Sequence, residues 1–118
     1  MTSSPLVTDI TDASLLPMVD LMQLFREWDR EVPAQVVVTF LYIAAHDGCH
    51  KQVLEDDLGF STASSSRNIA WLSDEHRLGK PGLGLIERFR DSNNLRRIRC
   101  RLTSKGRAAA TQIKNIIY

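Results

Sequence analysis

Arginine dominates the chemistry in the last third of this 118-residue chain. Arg88, Arg90, Arg96, Arg97, Arg99, Arg101, Lys105 and Arg107 fall within one twenty-residue stretch, opposed there only by Asp91. Guanidinium groups at this density are hard to neutralise internally, and they suit a polyanion whose phosphates accept paired hydrogen bonds. A solvated β-face paired with Glu87 and Asp91 is the competing reading. Upstream, Ser64, Ser65 and Ser66 lead into Arg67. Small hydroxylated side chains let a backbone approach a surface closely, and the arginine can donate two bonds to guanine or one to phosphate. Three serines would be a costly choice for merely opening a surface helix, because they compete for backbone hydrogen bonds.

Other reactive residue types carry less. His46, Asp47, Cys49 and His50 are donor types that zinc accepts, but a helix end followed by a turn gathers them by chance, and we expect neither metal nor other cofactor. Cys49 and Cys100 are too few for a disulfide framework and read as reduced, buried thiols. Asp56 and Asp57 are sequence neighbours and face different directions on a helix, which does not suit paired-carboxylate catalysis. With no Gly-rich phosphate loop and no nucleophile motif, no catalytic residue is assigned and an enzyme is not expected.

The elements that must position these groups follow from periodicity. Residues 1–11, rich in Ser and Thr with one Pro, predict a flexible tail, and 12–118 a single domain. Leu15, Met18, Val19, Met22, Phe25 and Trp28 recur at three- and four-residue steps, predicting an amphipathic helix over 12–30 with Asp12 or Ser14 as cap and Pro17 in the first turn. Leu16, Leu21 and Leu24 widen that stripe, so it needs two packing partners, and a second subunit is the natural one. Residues 33–46 contain a β-branched run, Val36 to Ile43, that reads locally as a strand. Pro33 at the start, Ala44-Ala45 and the stop at Gly48 favour a helix instead. Residues 51–78 predict helix, tight turn at Gly59-Phe60, and helix, with Ser65, Ile69 and Leu72 inward and Ala63, Ser66, Arg67 and Ala70 outward. Residues 85–102 predict a hairpin with its tip at 91–94, in which Ile98, Cys100 and Leu102 alternate with Arg97, Arg99 and Arg101. The arginines should therefore stand outward along a single ridge. Residues 104–117 predict a final helix capped by Thr103, with Ala108, Ile113, Ile116 and Ile117 available for packing.

Composition agrees with an ordinary folded domain: 43% of residues are apolar and 25% charged, which excludes a disordered or rod-like chain. No run approaches the ~20 apolar residues of a membrane span, and the N-terminus lacks a signal-peptide pattern, so a cytoplasmic, non-membrane protein is expected. The net charge of +1 conceals a division. Up to Phe60 there are three basic and ten acidic side chains, a net of −7, and from Ser61 onward twelve basic and four acidic, a net of +8. Such polarity points to one half that faces a polyanion.

Helix, helix, helix-turn-helix, hairpin, helix is the order of a winged helix with flanking helices. From about Val53 to Gly106 the sequence resembles the MarR family of bacterial winged-helix transcription regulators. The likeness rests on Leu54, Leu58-Gly59, the Ser-rich stretch Ser61 to Arg67, Gly84-Leu85-Ile86-Glu87-Arg88, Asp91, and Leu102-Thr103-Ser104-Lys105-Gly106. The resemblance implies a mainly α fold with a small β-hairpin wing, and a homodimer on double-stranded DNA that acts as a transcriptional regulator. On that reading Thr62, Ser64, Ser66 and Arg67 of the recognition helix enter the major groove, while Arg88, Arg96, Arg97 and Arg99 reach the backbone or minor groove. Leu15, Met18, Leu21, Met22, Phe25, Trp28, Ile113 and Ile117 would form the dimer interface. Trp28 and Phe25 could instead border an effector pocket, as the resemblance would imply, but core packing explains them as well and no residue pattern supports an effector.

Three departures bear on the comparison. Glu55 stands where the family has a small residue, and with Asp56 and Asp57 forms an acidic triplet beside the recognition helix. Residues 73–83 lengthen the path from that helix to the wing. Asn94-Leu95 replaces the wing's usual Asp-Arg pair. The acidic triplet and the extended linker motivate an alternative, a winged-helix adaptor that binds a protein partner in a transcription or replication assembly without reading bases.

Overall fold

The computed structural model describes residues 9–74 and 79–118. Five helices and three strands follow in the order α1 (Leu16–Trp28), α2 (Ala34–Ala45), β1 (Cys49–His50), α3 (Lys51–Leu58), α4 (Thr62–Leu72), β2 (Ile86–Asp91), β3 (Asn94–Leu102) and α5 (Ser104–Ile117). Residues 1–8 of the expected tail lie outside the described residues. Asp12 caps a single 3-10 turn, Ala13–Leu15, by accepting from the Ser14 N–H, and Pro17 falls in the first turn of α1, where its missing N–H leaves no broken bond. The β-branched run forms α2 because Val36, Val37, Phe40 and Ile43 then share one buried side, and burial outweighs local strand preference.

The tight turn depends on Gly59, which ends α3 in the left-handed conformation (φ +71°) that other residues adopt only at a cost. Ser61 then caps α4 by accepting from the Ser64 N–H at 3.1 Å. The predicted continuation to residue 78 does not occur: α4 ends at Leu72 and Ser73 is extended; residues 75–78 lie outside the described residues. The chain instead returns along the helix end. The N–H groups of Gly82, Leu83, Gly84 and Leu85 donate to the carbonyls of Asp74, Trp71, Ser73 and Leu72 at 2.8–3.1 Å. These bonds occupy carbonyls that a helix C-terminus otherwise leaves unsatisfied.

The sheet has the order β1-β3-β2, antiparallel throughout. Strands β2 and β3 pair from Ile86↔Leu102 to Asp91↔Asn94, leaving Ser92-Asn93 as the tip, with an irregularity between Arg90 and Asp91. Strand β1 has no counterpart in the sequence reading. Its two residues pair Cys49↔Cys100 and His50↔Arg99, tying the entrance of α3 to the wing.

One core joins all of these elements. Phe25, Phe40, Ile43, Leu54, Ile69, Leu72, Leu85, Ile86 and Cys100 are essentially inaccessible to solvent, and each large side chain so buried contributes about 1.5–3 kcal/mol. On α5 the buried residues are Gly106, Ala109 and Ile113; Ala108, expected to pack, is exposed. Gly106 lies so close to β2 that a Cβ there would stand 1.9 Å from the Leu85 carbonyl oxygen.

Candidate nucleic-acid interface

Helix α4 presents Thr62, Ala63 and Arg67 to solvent, with Ser64 and Ser66 half-buried and Ser65 and Ile69 in the core. Ala70, expected outward, is only 8% exposed, because the returning 82–85 segment covers the end of the helix. Two side-chain bonds fix the helix from behind. Trp71 Nε1 donates to Asp29 Oδ2 at 2.6 Å, and Asn68 Nδ2 to Gln35 Oε1 at 3.3 Å. The exposed guanidinium of Arg67 reaches only its own helix, donating to Ser64 Oγ at 3.1 Å.

Glu55 braces α3 against α4. Its carboxylate accepts from Lys51 Nζ and from the buried Ser65 hydroxyl, and more distantly from Thr62 Oγ1 at 3.4 Å. Partial burial favours the neutral acid, but the hydrogen bonds from Lys51, Ser65 and Thr62 outweigh it and hold the carboxyl below its ordinary range. The acidic triplet is thereby dispersed: Glu55 turns inward and Asp57 accepts from the Tyr42 hydroxyl at 2.5 Å, which pushes that phenol up to about 12.

The wing's arginines do not form the single ridge that alternation predicts. Arg101 donates to Glu87 Oε1 at 2.6 Å and lies over the Phe89 ring. Arg99, assigned to DNA contact by the sequence reading, donates from Nε to the Gly48 carbonyl at 2.7 Å and also faces Phe89. Arg90 donates to the Leu95 carbonyl and Arg107 to that of Leu102. Cross-strand aromatic and carboxylate partners were available at every other position of β2, and they hold the arginines of the wing's base. Arg88, Arg96 and Arg97 have no hydrogen-bond or ion-pair partner among the described residues, so the free cations gather toward the tip and along the edge strand.

That tip is held by Asp91, which the sequence offers as a partner for the arginines of the β-face and which engages His50 instead. One carboxylate oxygen meets His50 Nε2 at 2.7 Å and the other accepts from the Asn93 N–H at 3.0 Å. The His50 bond, then the Asn93 bond, lower the Asp91 carboxyl from its ordinary value. Between the wing and the helix-turn-helix lies a cleft of about 290 Å³ lined by Lys51, Gln52, Glu55, Thr62, Arg96, Arg97 and Ile98. Thr62 of the serine-bearing helix and the two free arginines of the wing thus share one surface.

The metal-type cluster diverges. His46 Nδ1 faces the Tyr42 carbonyl, Asp47 accepts from the Leu102 N–H, and His50 is held by Asp91. Among the described residues no three such side chains converge to hold a metal. Burial pushes the Cys49 thiol up, and the Cys100 thiol up to about 12.

The dimer residues named from the sequence divide into two sets. Leu15, Met18, Met22 and Ile117 are exposed, joined by Leu16 and Val19. Leu21, Phe25 and Ile113 instead face the chain's own core, Leu21 at 2% exposure. Trp28 meets the Phe25 ring edge to face at 5.0 Å, and Phe25 meets Phe40 in the same way. The wide stripe thus serves the core on one side and leaves an apolar band on the other.

This architecture is the MarR-type winged-helix fold, mainly helical with a hairpin wing. The chain is similar to a MarR transcriptional regulator from Methanosarcina mazei, with 21% identity and a TM-score of 0.61 over 84% of this chain and 70% of that one. It is similar to MepR of S. aureus in its complex with DNA, with 20% identity and a TM-score of 0.66 over 84% and 74%. Streptococcus pneumoniae FabT in complex with DNA gives 18% identity and a TM-score of 0.64 over 85% of this chain and 64% of that one. No protein-family model matches the sequence, and no curated protein matches it. Among the described residues no helix is long and apolar enough to cross a membrane.

Proposed function

We propose that this chain is a homodimeric, sequence-specific DNA-binding regulator of transcription in the cytoplasm. Helix α4 lies in the major groove, and the wing contacts the backbone or the minor groove. The observation that carries the reading is the shared cleft, where Thr62 at the start of α4 lies beside Arg96 and Arg97 of the wing. A duplex offers a groove that admits one helix, with phosphates on either side for the flanking cations. Two of the structures it resembles hold DNA, which supports the same use of the fold here. The exposed band of Leu15, Leu16, Met18, Val19 and Ile117 supports a second copy as its cover. The adaptor alternative loses its main motive, since Glu55 and Asp57 are engaged within the chain.

Titration of the protein with duplex DNA at several salt concentrations tests the proposal. Affinity should fall steeply with salt, as counterion release requires. Arg67→Ala should cost about 1–3 kcal/mol and relax base preference at particular positions, whereas Arg97→Ala should weaken all sequences alike and flatten the salt slope by about one. Binding that ignores salt, or equal sequence-blind losses from both variants, would overturn the assignment.

A further inference from the structure

Leu95 is 66% exposed, one residue past the pair Asp91↔Asn94 that closes the tip of the wing. The β2–β3 register shifts between the pairs Arg90↔Ile98 and Asp91↔Asn94, so Leu95, Arg96 and Arg97 lie together in the irregular stretch between them, away from the buried Cys100 and Leu102. A single exposed leucine on a broad surface is ordinary; this one stands beside a tip whose backbone is pinned without using the leucine side chain. The Asn93 N–H donates to Asp91 Oδ1 at 3.0 Å, the Arg96 N–H to Asn94 Oδ1 at 3.1 Å, and Arg90 Nη1 to the Leu95 carbonyl at 2.9 Å. His50 anchors Asp91 in turn. The next two residues are Arg96 and Arg97, whose charges are free among the described residues. The end of the wing therefore carries a fixed apolar point beside its tip, backed by unpaired cations.

We infer that Leu95 is a minor-groove wedge and the wing's specificity-determining residue. Its side chain enters between adjacent base pairs while Arg96 and Arg97 hold the phosphates on either side. An arginine at such a tip reads a narrow, electronegative groove, whereas an aliphatic wedge reads how readily a step unstacks, which favours TA and CA/TG steps. A protein surface is a poorer match, because an apolar contact there would force both neighbouring guanidinium groups to lose water without phosphate to receive them.

The inference rests on the DNA-binding reading, and one experiment separates the two. Duplexes are selected from a random pool by the wild-type chain and labelled at both ends for energy transfer, with 2-aminopurine placed at their pyrimidine–purine steps. The wild type should bend the selected duplex and brighten the 2-aminopurine. Leu95→Ala should bind it about tenfold more weakly, with the salt slope kept and the bend and brightening lost. Arg97→Ala should keep the bend and lose slope. Leu95→Arg should restore affinity with a steeper salt slope and no brightening. A Leu95→Ala variant with wild-type affinity and bend overturns the wedge and leaves DNA binding intact. A wild-type chain that retains no duplex overturns DNA binding, and the wedge with it.

Discussion

Glu55 illustrates how a residue unfavourable by type becomes useful by placement. A free carboxylate beside a groove-entering helix would repel phosphate; this one is neutralised by Lys51 and holds the buried Ser65 hydroxyl. Glu55→Ala would leave that hydroxyl with only the Thr62 carbonyl at 3.1 Å, and the loss of bonds to a charged group should lower unfolding free energy by about 1–3 kcal/mol, measured in urea. Asp91 makes the parallel case at the wing. Its folded carboxyl ionises more readily than an ordinary one, chiefly through His50, so it stabilises the fold above the unfolded value of about 4, and that support fades as pH falls through the folded value. Asp91→Asn should therefore be less stable than wild type at pH 7, and the gap between their urea midpoints should close on acidification below pH ~4. A gap that widens in acid would contradict this role. Of these partners the sequence displayed only types: His50 and Asp91 stand 41 residues apart, and nothing in local spacing marks them as a pair.

At the scale of elements, two glycines separate conformation from space. Gly59 needs a positive φ, yet a Cβ there would meet nothing within 4 Å, whereas a Cβ at Gly106 would collide with the Leu85 carbonyl. Gly59→Ala should cost about 1–2 kcal/mol from left-handed strain alone. Gly106→Ala must displace α5 from β2 and should cost more, with thermal unfolding midpoints ordered wild type, Gly59→Ala, Gly106→Ala. The same elements show where sequence patterns carry information. Helices α1, α2, α3 and α5 and the hairpin were legible because each writes its period or its caps into consecutive residues. The end of α4 was not, since apolar and polar residues continue past Leu72 and only the return of residues 82–85 onto its carbonyls decides the boundary. Strand β1 was invisible because two residues have no period. The arginine ridge failed for a related reason: alternation tells which face a side chain leaves from, but Phe89, Glu87 and the Gly48 carbonyl, all from other segments, decide where Arg99 and Arg101 go.

For the whole molecule, charge and apolar surface separate. The acidic first half carries α1 and its exposed band, while the basic second half carries the wing and the serine-bearing helix. A second copy seated on the band would keep both wings free and offer two helices to successive turns of a duplex, about 34 Å apart. Joining two weak contacts raises avidity by about 10²–10⁴ without any new bond to DNA. Val19, 54% exposed on α1, separates this contribution from folding, in contrast with the neighbouring core residue Leu21. Val19→Asp should sediment as a monomer that still unfolds in one cooperative transition, since the charge meets only water in the single chain, with a thermal midpoint that no longer rises with protein concentration as the wild type's does. On a selected duplex with two half-sites it should bind about 100-fold more weakly than wild type, and scrambling one half-site should cost wild type about the same factor while leaving the variant unaffected. A Val19→Asp chain that remains dimeric would place the interface elsewhere. One that is monomeric yet binds like wild type would show that a single copy makes the whole contact.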